Sequence, residues 1–169
     1  MKSYRYCPFC GQKLIQLVDE GKVRLTCPGG DYTFFKNPRP TASAFIIKND
    51  EILLAKRRID PFAGGWDIPG GFMEEYESPV DTLKREIKEE TGLLIEIIRF
   101  VGIFMDTYTY KDETFPTVNL FYEVKIIGGS ESPSSDVSQL EWIKCNNLQE
   151  DILVFNSARE ALRELRRTI

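Results

Sequence analysis

The segment from Gly64 to Gly92 constrains the fold of this chain more than any other. It opens with GGWDIPGG (64–71), whose two glycine pairs and proline predict a loop without regular structure. A helix with complete start and stop signals follows. Ser78 suits the N-cap, Pro79 fits the first helical position, and Gly92 suits the C-terminal end. Any fold of this chain must therefore place a glycine-rich loop directly before a well-defined helix.

The predicted helix has two chemically different faces. Apolar side chains share one stripe, at about 100° per residue, that we expect to be buried: Val80, Leu83 and Ile87. Glu86, Glu89 and Glu90 share another face. Like charges four residues apart destabilise an isolated helix by roughly 0.2–0.5 kcal/mol, so a merely solvated helix gains nothing from this cluster. Carboxylates beside a glycine-rich loop are what Mg²⁺ uses when it binds together with substrate phosphates.

The composition narrows the available chemistry. The 169 residues include no His, which excludes Ser-His-Asp and Cys-His nucleophiles, imidazole bases and His metal ligands. Acid, base and metal chemistry therefore falls to carboxylates, thiolates, Lys or Tyr. A net charge of −4 argues against a sequence-blind nucleic-acid binder, which needs a basic surplus. The chain shows neither an apolar leader nor a long uncharged apolar run, so we expect a cytoplasmic protein without a membrane partner.

Strand and helix signals alternate along the rest of the chain. Strands are predicted at 41–46, 52–55, 93–110, 118–127 and 140–143. Residues 128–138 are expected to form a loop, and a helical turn is expected near Leu148. An amphipathic helix starts near Asn156 and carries one apolar stripe: Ala158, Leu162, Leu165 and Ile169. This alternation predicts an α/β fold with a mixed sheet between helical layers.

A family resemblance becomes specific at residues 71–93. The sequence GFMEEYESPVDTLKREIKEETGL matches the Nudix box, G-x5-E-x7-R-E-U-x-E-E-x-G-U with U apolar, at every defined position. The chain therefore resembles the Nudix hydrolases of MutT type. The resemblance implies an α/β/α sandwich and a pyrophosphohydrolase that cleaves a nucleoside diphosphate linked to another moiety, such as ADP-ribose or FAD. It also implies Mg²⁺ or Mn²⁺ held by carboxylates of the box: Glu86, Glu89, Glu90 and Glu77.

Other site residues follow from the same resemblance. Arg85 is expected to pair with Glu77 and fix the loop to the helix. Glu89 is the first candidate for the base that activates water, with Glu90 and Asp136 as alternatives; Asp136 precedes Trp142 at the spacing seen in such enzymes. Residues expected to contact substrate are Arg57 or Arg58 at its phosphates, together with Gly70 and Gly71. Trp66 and Phe72 flank the glycines and are candidates for stacking on a base, or for simple packing.

The first 36 residues form a different kind of segment. Cys7-Pro8-Phe9-Cys10-Gly11 has the spacing of a zinc knuckle, and Cys27 supplies a third thiolate. The fourth ligand is open between Asp31, Cys145 and water; we favour Asp31, and a decayed ribbon without metal is the alternative. This segment resembles the zinc ribbon that precedes the Nudix domain in some FAD, ADP-ribose and NADH pyrophosphatases. We therefore predict a zinc-ribbon module at 1–36 and a Nudix domain at 37–169.

The substrate and partners stay less defined. The chain lacks an SQPWPFP-like motif after the box, which disfavours NADH specificity. ADP-ribose, FAD, a nucleotide sugar and a dinucleoside polyphosphate remain open as small-molecule substrates. The rival function is a Nudix-like nucleotide sensor or nucleic-acid-binding regulator without hydrolase activity; the intact box argues against it. Dimerisation is common among the proteins that this chain resembles, so a homodimer is a possible state.

Overall fold

The computed structural model describes residues 4–167 and contains two separate sheets. A three-stranded antiparallel sheet near the N-terminus consists of β1 (Ile15–Asp19), β2 (Lys22–Thr26) and β3 (Thr33–Phe34). The main sheet consists of β4 (Arg39–Lys48), β5 (Glu51–Arg57), β6 (Trp66–Asp67), β7 (Gly70–Phe72), β8 (Leu93–Tyr110), β9 (Glu113–Gly129) and β10 (Val137–Lys144). The helices are α1 (Pro79–Thr91), α2 (Asn156–Arg167) and a short 3₁₀ turn (Glu150–Ile152).

The main sheet is mixed, as the alternation of elements predicts. Its central order is β10-β5-β4-β9-β8, with β6 paired to β5 and β7 paired to β4. The two central strands β4 and β9 run parallel, and the other pairs are antiparallel. The parallel pair requires the chain to cross from one strand to the other, and that crossover carries α1. This topology brings the glycine-rich segment and α1 to one end of the central strands.

Helix α1 covers one face of the sheet. Its N-terminus is capped as predicted, because the Ser78 hydroxyl accepts a hydrogen bond from the Asp81 N–H at 3.2 Å. Gly92 ends it in the left-handed conformation, at φ 74°. Leu83 and Ile87 are fully buried against Ala42, Ala44, Ile46, Leu53, Leu93, Ile95 and Val124, so the predicted apolar stripe is confirmed at these two positions.

Helix α2 covers the opposite face and completes a three-layer sandwich. Its buried side chains pack with Phe45, Leu54 and Phe121 of the sheet: Ala158, Ala161, Leu162 and Leu165. The carboxylate of Asp106 on β8 accepts a hydrogen bond from the Ser157 N–H at 2.8 Å and so caps α2 from a distant strand. Ile169, the last member of the predicted stripe, lies outside the described residues.

The structure corrects two local predictions. Residues 64–71 do not form a loop throughout, because β6 and the start of β7 lie within them. Gly70 permits this pairing, since a Cβ at this position would overlap the backbone of Ser43 on β4. Strand β9 is longer than predicted and runs into the expected loop as far as Gly129, because it pairs along the whole of β8. The helical turn predicted near Leu148 is confirmed and lies at Glu150–Ile152.

The N-terminal segment has its own small core. Cys7, Leu14 and Cys27 are buried together, with Leu25 and Tyr32 packed against them. The three-stranded sheet ends at Phe34 and the main sheet begins at Arg39. The division into modules at 1–36 and 37–169 stays a prediction. Neither helix within residues 4–167 combines the length and the apolar composition that a membrane span requires.

Candidate active site

A cavity of about 280 Å³ opens between α1, the central strands and the N-terminus of α2. Carboxylates from widely separated parts of the sequence line it: Asp67, Glu74, Glu86, Glu90, Asp106 and Asp136. The main chain of the Gly70–Gly71 pair forms another part of the wall. Folding therefore concentrates acidic groups beside a surface of exposed backbone.

Arg85 organises the loop before α1. Its guanidinium binds both oxygens of Glu77, with Nε–Oε1 at 2.6 Å and Nη2–Oε2 at 2.8 Å, and donates to the Phe72 carbonyl at 3.1 Å. It also reaches Glu86 at 2.7 Å through Nη1. The contact with Arg85 lowers the pKa of Glu77 to about 2, so Glu77 is ionised at neutral pH. Arg85 thus joins loop and helix, and the structure brings Glu77 to it as the resemblance implies.

Glu86 and Glu90 are the cavity carboxylates contributed by α1. Burial, together with the nearby negative charges of Glu86, Asp67 and Asp136, raises the pKa of Glu90 to about 8. Burial also raises the pKa of Glu86. The Glu90 carboxylate accepts a hydrogen bond from the Gly70 N–H at 3.0 Å, which fixes its position. Burial and mutual repulsion disfavour the ionised form of these carboxylates. A divalent cation bound to their oxygens would offset both effects.

Glu89 is placed differently from its neighbours on α1. Its side chain is 52% exposed, and its carboxylate lies 3.4 Å from Nη1 of Arg85. It is not among the described residues that line the cavity. Its roles as base and metal ligand stay predictions, and Asp136 and Glu90 are the candidate bases that the fold places in the cavity wall.

The second glycine of the Gly70–Gly71 pair has a steric role. A Cβ at Gly71 would overlap the carboxylate of Glu86. An added side chain at position 71 would therefore force the Glu86 carboxylate to shift from its place in the cavity wall. This close approach gives a physical reason for glycine at the first position of the Nudix box.

Arg57 and Arg58 occupy different positions. Arg58 donates to the Val137 carbonyl at 2.8 Å, and its N–H binds the Asp136 carbonyl at 2.6 Å, so it holds the segment that carries Asp136. Arg57 lines the cavity. Its Nε donates to the Pro61 carbonyl at 2.7 Å and its Nη1 lies 3.4 Å from Asp67. Direct contact of either side chain with substrate phosphates stays a prediction.

Sequence reasoning missed several cavity residues. They share no motif and come together only through strand pairing and the docking of α2: Asp67, Asp106, Tyr108 and Phe155. Burial raises the pKa of Asp67 to about 6, despite the opposing effect of Arg57. Of the two aromatic residues flanking the glycines, Phe72 lies in the cavity, whereas Trp66 packs against the core beneath α2.

The cysteines form a second candidate site, in the N-terminal segment. The sulfur atoms of Cys7, Cys10 and Cys27 all lie within 4.8 Å of one another. Three thiolates at this separation fit a zinc ion, which bonds sulfur at about 2.3 Å. Asp31, the favoured fourth ligand, is not in this cluster of ligand atoms, so its role as a ligand stays a prediction. Its Oδ2 and the Cys27 sulfur both lie near Gly29, at 3.2 and 3.8 Å from the position of a Cβ built on that residue. Cys145 instead packs against the main core beneath α2.

The fold and the cavity define the chain as an α/β/α sandwich with an acidic site beside α1, and the comparisons with known proteins are more specific. The model of the NUDIX domain matches residues 37–165. The chain belongs to the Nudix hydrolase family.

Related proteins carry several names. The chain is 32% identical over 117 residues to an ADP-ribose pyrophosphatase of Methanocaldococcus jannaschii, covering 69% of this chain and 68% of that protein. It is 28% identical over 149 residues to the NAD-capped RNA hydrolase NudC of Pseudomonas fluorescens, covering 87% of this chain but only 50% of NudC.

Solved structures support the architecture. The crystal structure of a NUDIX hydrolase from Nitrosomonas europaea superposes with a TM-score of 0.81 at 22% identity. The superposition covers 98% of this chain and 93% of the other, so it includes the N-terminal segment. This similarity establishes the fold alone.

Proposed function

We propose that this protein is a Mg²⁺-dependent pyrophosphohydrolase that cleaves the P–O–P link of a nucleoside diphosphate joined to another moiety, as in ADP-ribose or FAD. The observation that carries the proposal is the meeting of Glu86, Glu90 and Asp136 in one cavity beside Gly70 and Gly71. The intact Nudix box and the names of the relatives, ADP-ribose pyrophosphatase and NAD-capped RNA hydrolase, support this reaction class.

The cavity residues have distinct tasks in this reaction. Glu86 and Glu90 would hold Mg²⁺ or Mn²⁺, with Glu77 as a further candidate ligand behind Arg85. Such an ion polarises phosphoryl oxygens and lowers the pKa of water. Gly70 orients Glu90 through its N–H. A carboxylate of the cavity accepts the proton of the attacking water as the new P–O bond forms. The bridging P–O bond breaks, and two phosphate-bearing products leave.

A direct assay tests this function. Purified protein is incubated with ADP-ribose, FAD, ADP-glucose or a diadenosine polyphosphate, with Mg²⁺, Mn²⁺ or EDTA, and nucleotide products are separated by chromatography. We expect metal-dependent turnover that Glu90→Gln lowers by at least about 10²-fold, while Glu96→Gln on the exposed edge of β8 has little effect. Tight nucleotide binding without turnover of any compound would favour the sensor function instead.

We also infer a structural zinc ion at Cys7, Cys10 and Cys27, with Asp31 as the fourth ligand. The support is the compact sulfur cluster in a segment whose own core is small. Metal analysis of protein purified without added zinc should give about one zinc ion per chain. Cys7→Ser should lose the metal, and Cys145→Ser, the matched control, should retain it. Zinc near zero in the wild-type protein would contradict this inference.

Two broader expectations remain predictions. A homodimer is to be tested by sedimentation of the full chain, and a cytoplasmic location by fractionation of the cells that produce it. Neither bears on the chemistry of the cavity.

A further inference from the structure

Aromatic side chains of the cavity wall have no part in the proposed metal and phosphate chemistry. Three of them contact one another: Phe72 from β7, Tyr108 from β8, and Phe155 immediately before α2. The rings of Tyr108 and Phe155 stack with centroids 5.8 Å apart and planes 15° apart. Phe72 meets Tyr108 edge to face, at 5.3 Å and 85°. We call these three residues the aromatic wall.

Arg57 contacts two members of the aromatic wall. Its Nη2 lies 3.3 Å from the Tyr108 hydroxyl, and its guanidinium carbon lies 5.1 Å from the centre of the Phe155 ring. The contacts of Nε with Pro61 and of Nη1 with Asp67 occupy its remaining nitrogens. Arg57 is therefore a positioning residue for the wall, because each of its three nitrogens already faces a protein partner.

Hydrogen-bond acceptors accompany the wall. Both oxygens of Asp106 are held by backbone N–H groups, from Thr107 and Ser157, each at 2.8 Å. One Asp67 oxygen accepts from the Ile68 N–H at 2.8 Å. An ionised carboxylate has about four acceptor sites, so both groups retain lone pairs for a ligand. Held from behind in this way, Asp106 has a fixed orientation in the cavity.

Asn119, deeper in the same cavity, is already engaged. Its oxygen accepts from Thr41 at 2.7 Å, and its nitrogen donates to the Phe104 carbonyl at 3.1 Å and to Thr117 at 3.0 Å. The polar groups available beside the aromatic wall are therefore mainly the carboxylates of Asp106 and Asp67 and the Tyr108 hydroxyl. A planar ligand that brings N–H donors complements it, whereas a carbonyl oxygen facing Asp106 is repelled.

We propose that the aromatic wall and Asp106 form the base-binding subsite and that Asp106 selects nucleobases with an exocyclic amino group, such as adenine, over uracil. This inference rests on the proposed function and names its substrate class. Stacking on the wall accepts any base, because every base has a π face. Discrimination comes from Asp106, which accepts a hydrogen bond from the amino group and meets a carbonyl oxygen in uracil.

Binding of reaction products tests the subsite without requiring turnover. Titration calorimetry compares AMP with UMP in the presence of Mg²⁺. We expect the affinity for AMP to exceed that for UMP by about tenfold or more. Asp106→Asn should bring the AMP-to-UMP ratio close to one, because it replaces one acceptor oxygen with an NH₂ donor, which repels an amino group and can face a carbonyl. Tyr108→Leu should weaken both nucleotides, and Tyr108→Phe should restore binding. Tyr110→Leu, on the same strand but 49% exposed, is the matched control.

Kinetics with ADP-glucose and UDP-glucose, which carry the same sugar, give the second measurement. The preference should appear in kcat/KM, and Asp106→Asn should remove it mainly through KM. Circular dichroism checks that this variant keeps α2 folded. Equal affinity for AMP and UMP, or a ratio that Asp106→Asn leaves unchanged, would overturn the subsite. If AMP is preferred but no nucleoside diphosphate derivative is cleaved, the proposed function fails and the subsite stands.

Discussion

At the residue scale, the close approach of Gly71 to the Glu86 carboxylate constrains the site. A methyl group at position 71 would force Glu86 or β7 to move, and both belong to the cavity wall. We expect Gly71→Ala to weaken Mg²⁺ activation and lower kcat by about tenfold or more. The measurement is the rate as a function of Mg²⁺ concentration.

Gly128 provides the matched control for that substitution. A Cβ at Gly128 meets only Leu94 side-chain carbons, at 3.5 Å or more, which is ordinary contact. Gly128→Ala should therefore leave the rate and the Mg²⁺ dependence close to those of the wild type. Equal loss of activity in both variants would show that the loss does not come from the close approach of Gly71 to Glu86.

The Arg85–Glu77 pair makes a prediction about stability and pH. The pKa of Glu77 falls from 4.5 to about 2 on folding because Arg85 binds its carboxylate. A depressed pKa stabilises the fold fully above pH 4.5, and this contribution is lost as the pH falls towards 2. Arg85→Lys cannot bind both oxygens in the same way, so its Tm should fall less steeply over this window. Thermal unfolding with EDTA from pH 5 to 2 measures the difference, and parallel curves would contradict the pairing.

At the element scale, α1 depends on its N-terminal cap. The Ser78 hydroxyl binds the Asp81 N–H and also donates to the Asp81 carboxylate at 2.6 Å. Ser78→Ala should lower the free energy of unfolding by about 1 kcal/mol. Chemical denaturation measures this change, with Ser132→Ala in the exposed loop after β9 as the control. Similar small changes in both variants would mean that packing of Leu83 and Ile87 alone determines the stability of α1.

Strand pairing explains why the glycine-rich segment does not form the predicted loop throughout. Local propensity indicates a loop, since glycine and proline weaken strands. Pairing with β4 and β5 overrides this preference, because Gly70 and Gly71 are the residues that can approach β4 and α1 without a clash. The sequence pattern alone does not show how closely two strands approach, so it does not predict this pairing.

At the scale of the whole molecule, the N-terminal segment and the main sheet should differ in stability. The small core of Cys7, Leu14 and Cys27 is too limited to hold a segment of this size without a metal or another staple. Limited proteolysis of Cys7→Ser should therefore cut within residues 4–36 and leave a resistant fragment that begins near residue 37. Cys145→Ser should show the wild-type pattern. Uniform digestion of the Cys7→Ser chain would show that the predicted modules do not unfold independently.

The sequence by itself determined α1, its caps, its buried residues Leu83 and Ile87, the five longer strands of the main sheet and the carboxylates of the box. These features depend on neighbours three or four positions apart along a helix, or two apart along a strand, so a linear pattern contains them. Only the tertiary structure decided that Asp67, Asp106, Tyr108 and Phe155 share a cavity with Glu86, and that Glu89 lies outside it. Strand order and the docking of α2 set those contacts, because they join residues that no local periodicity relates.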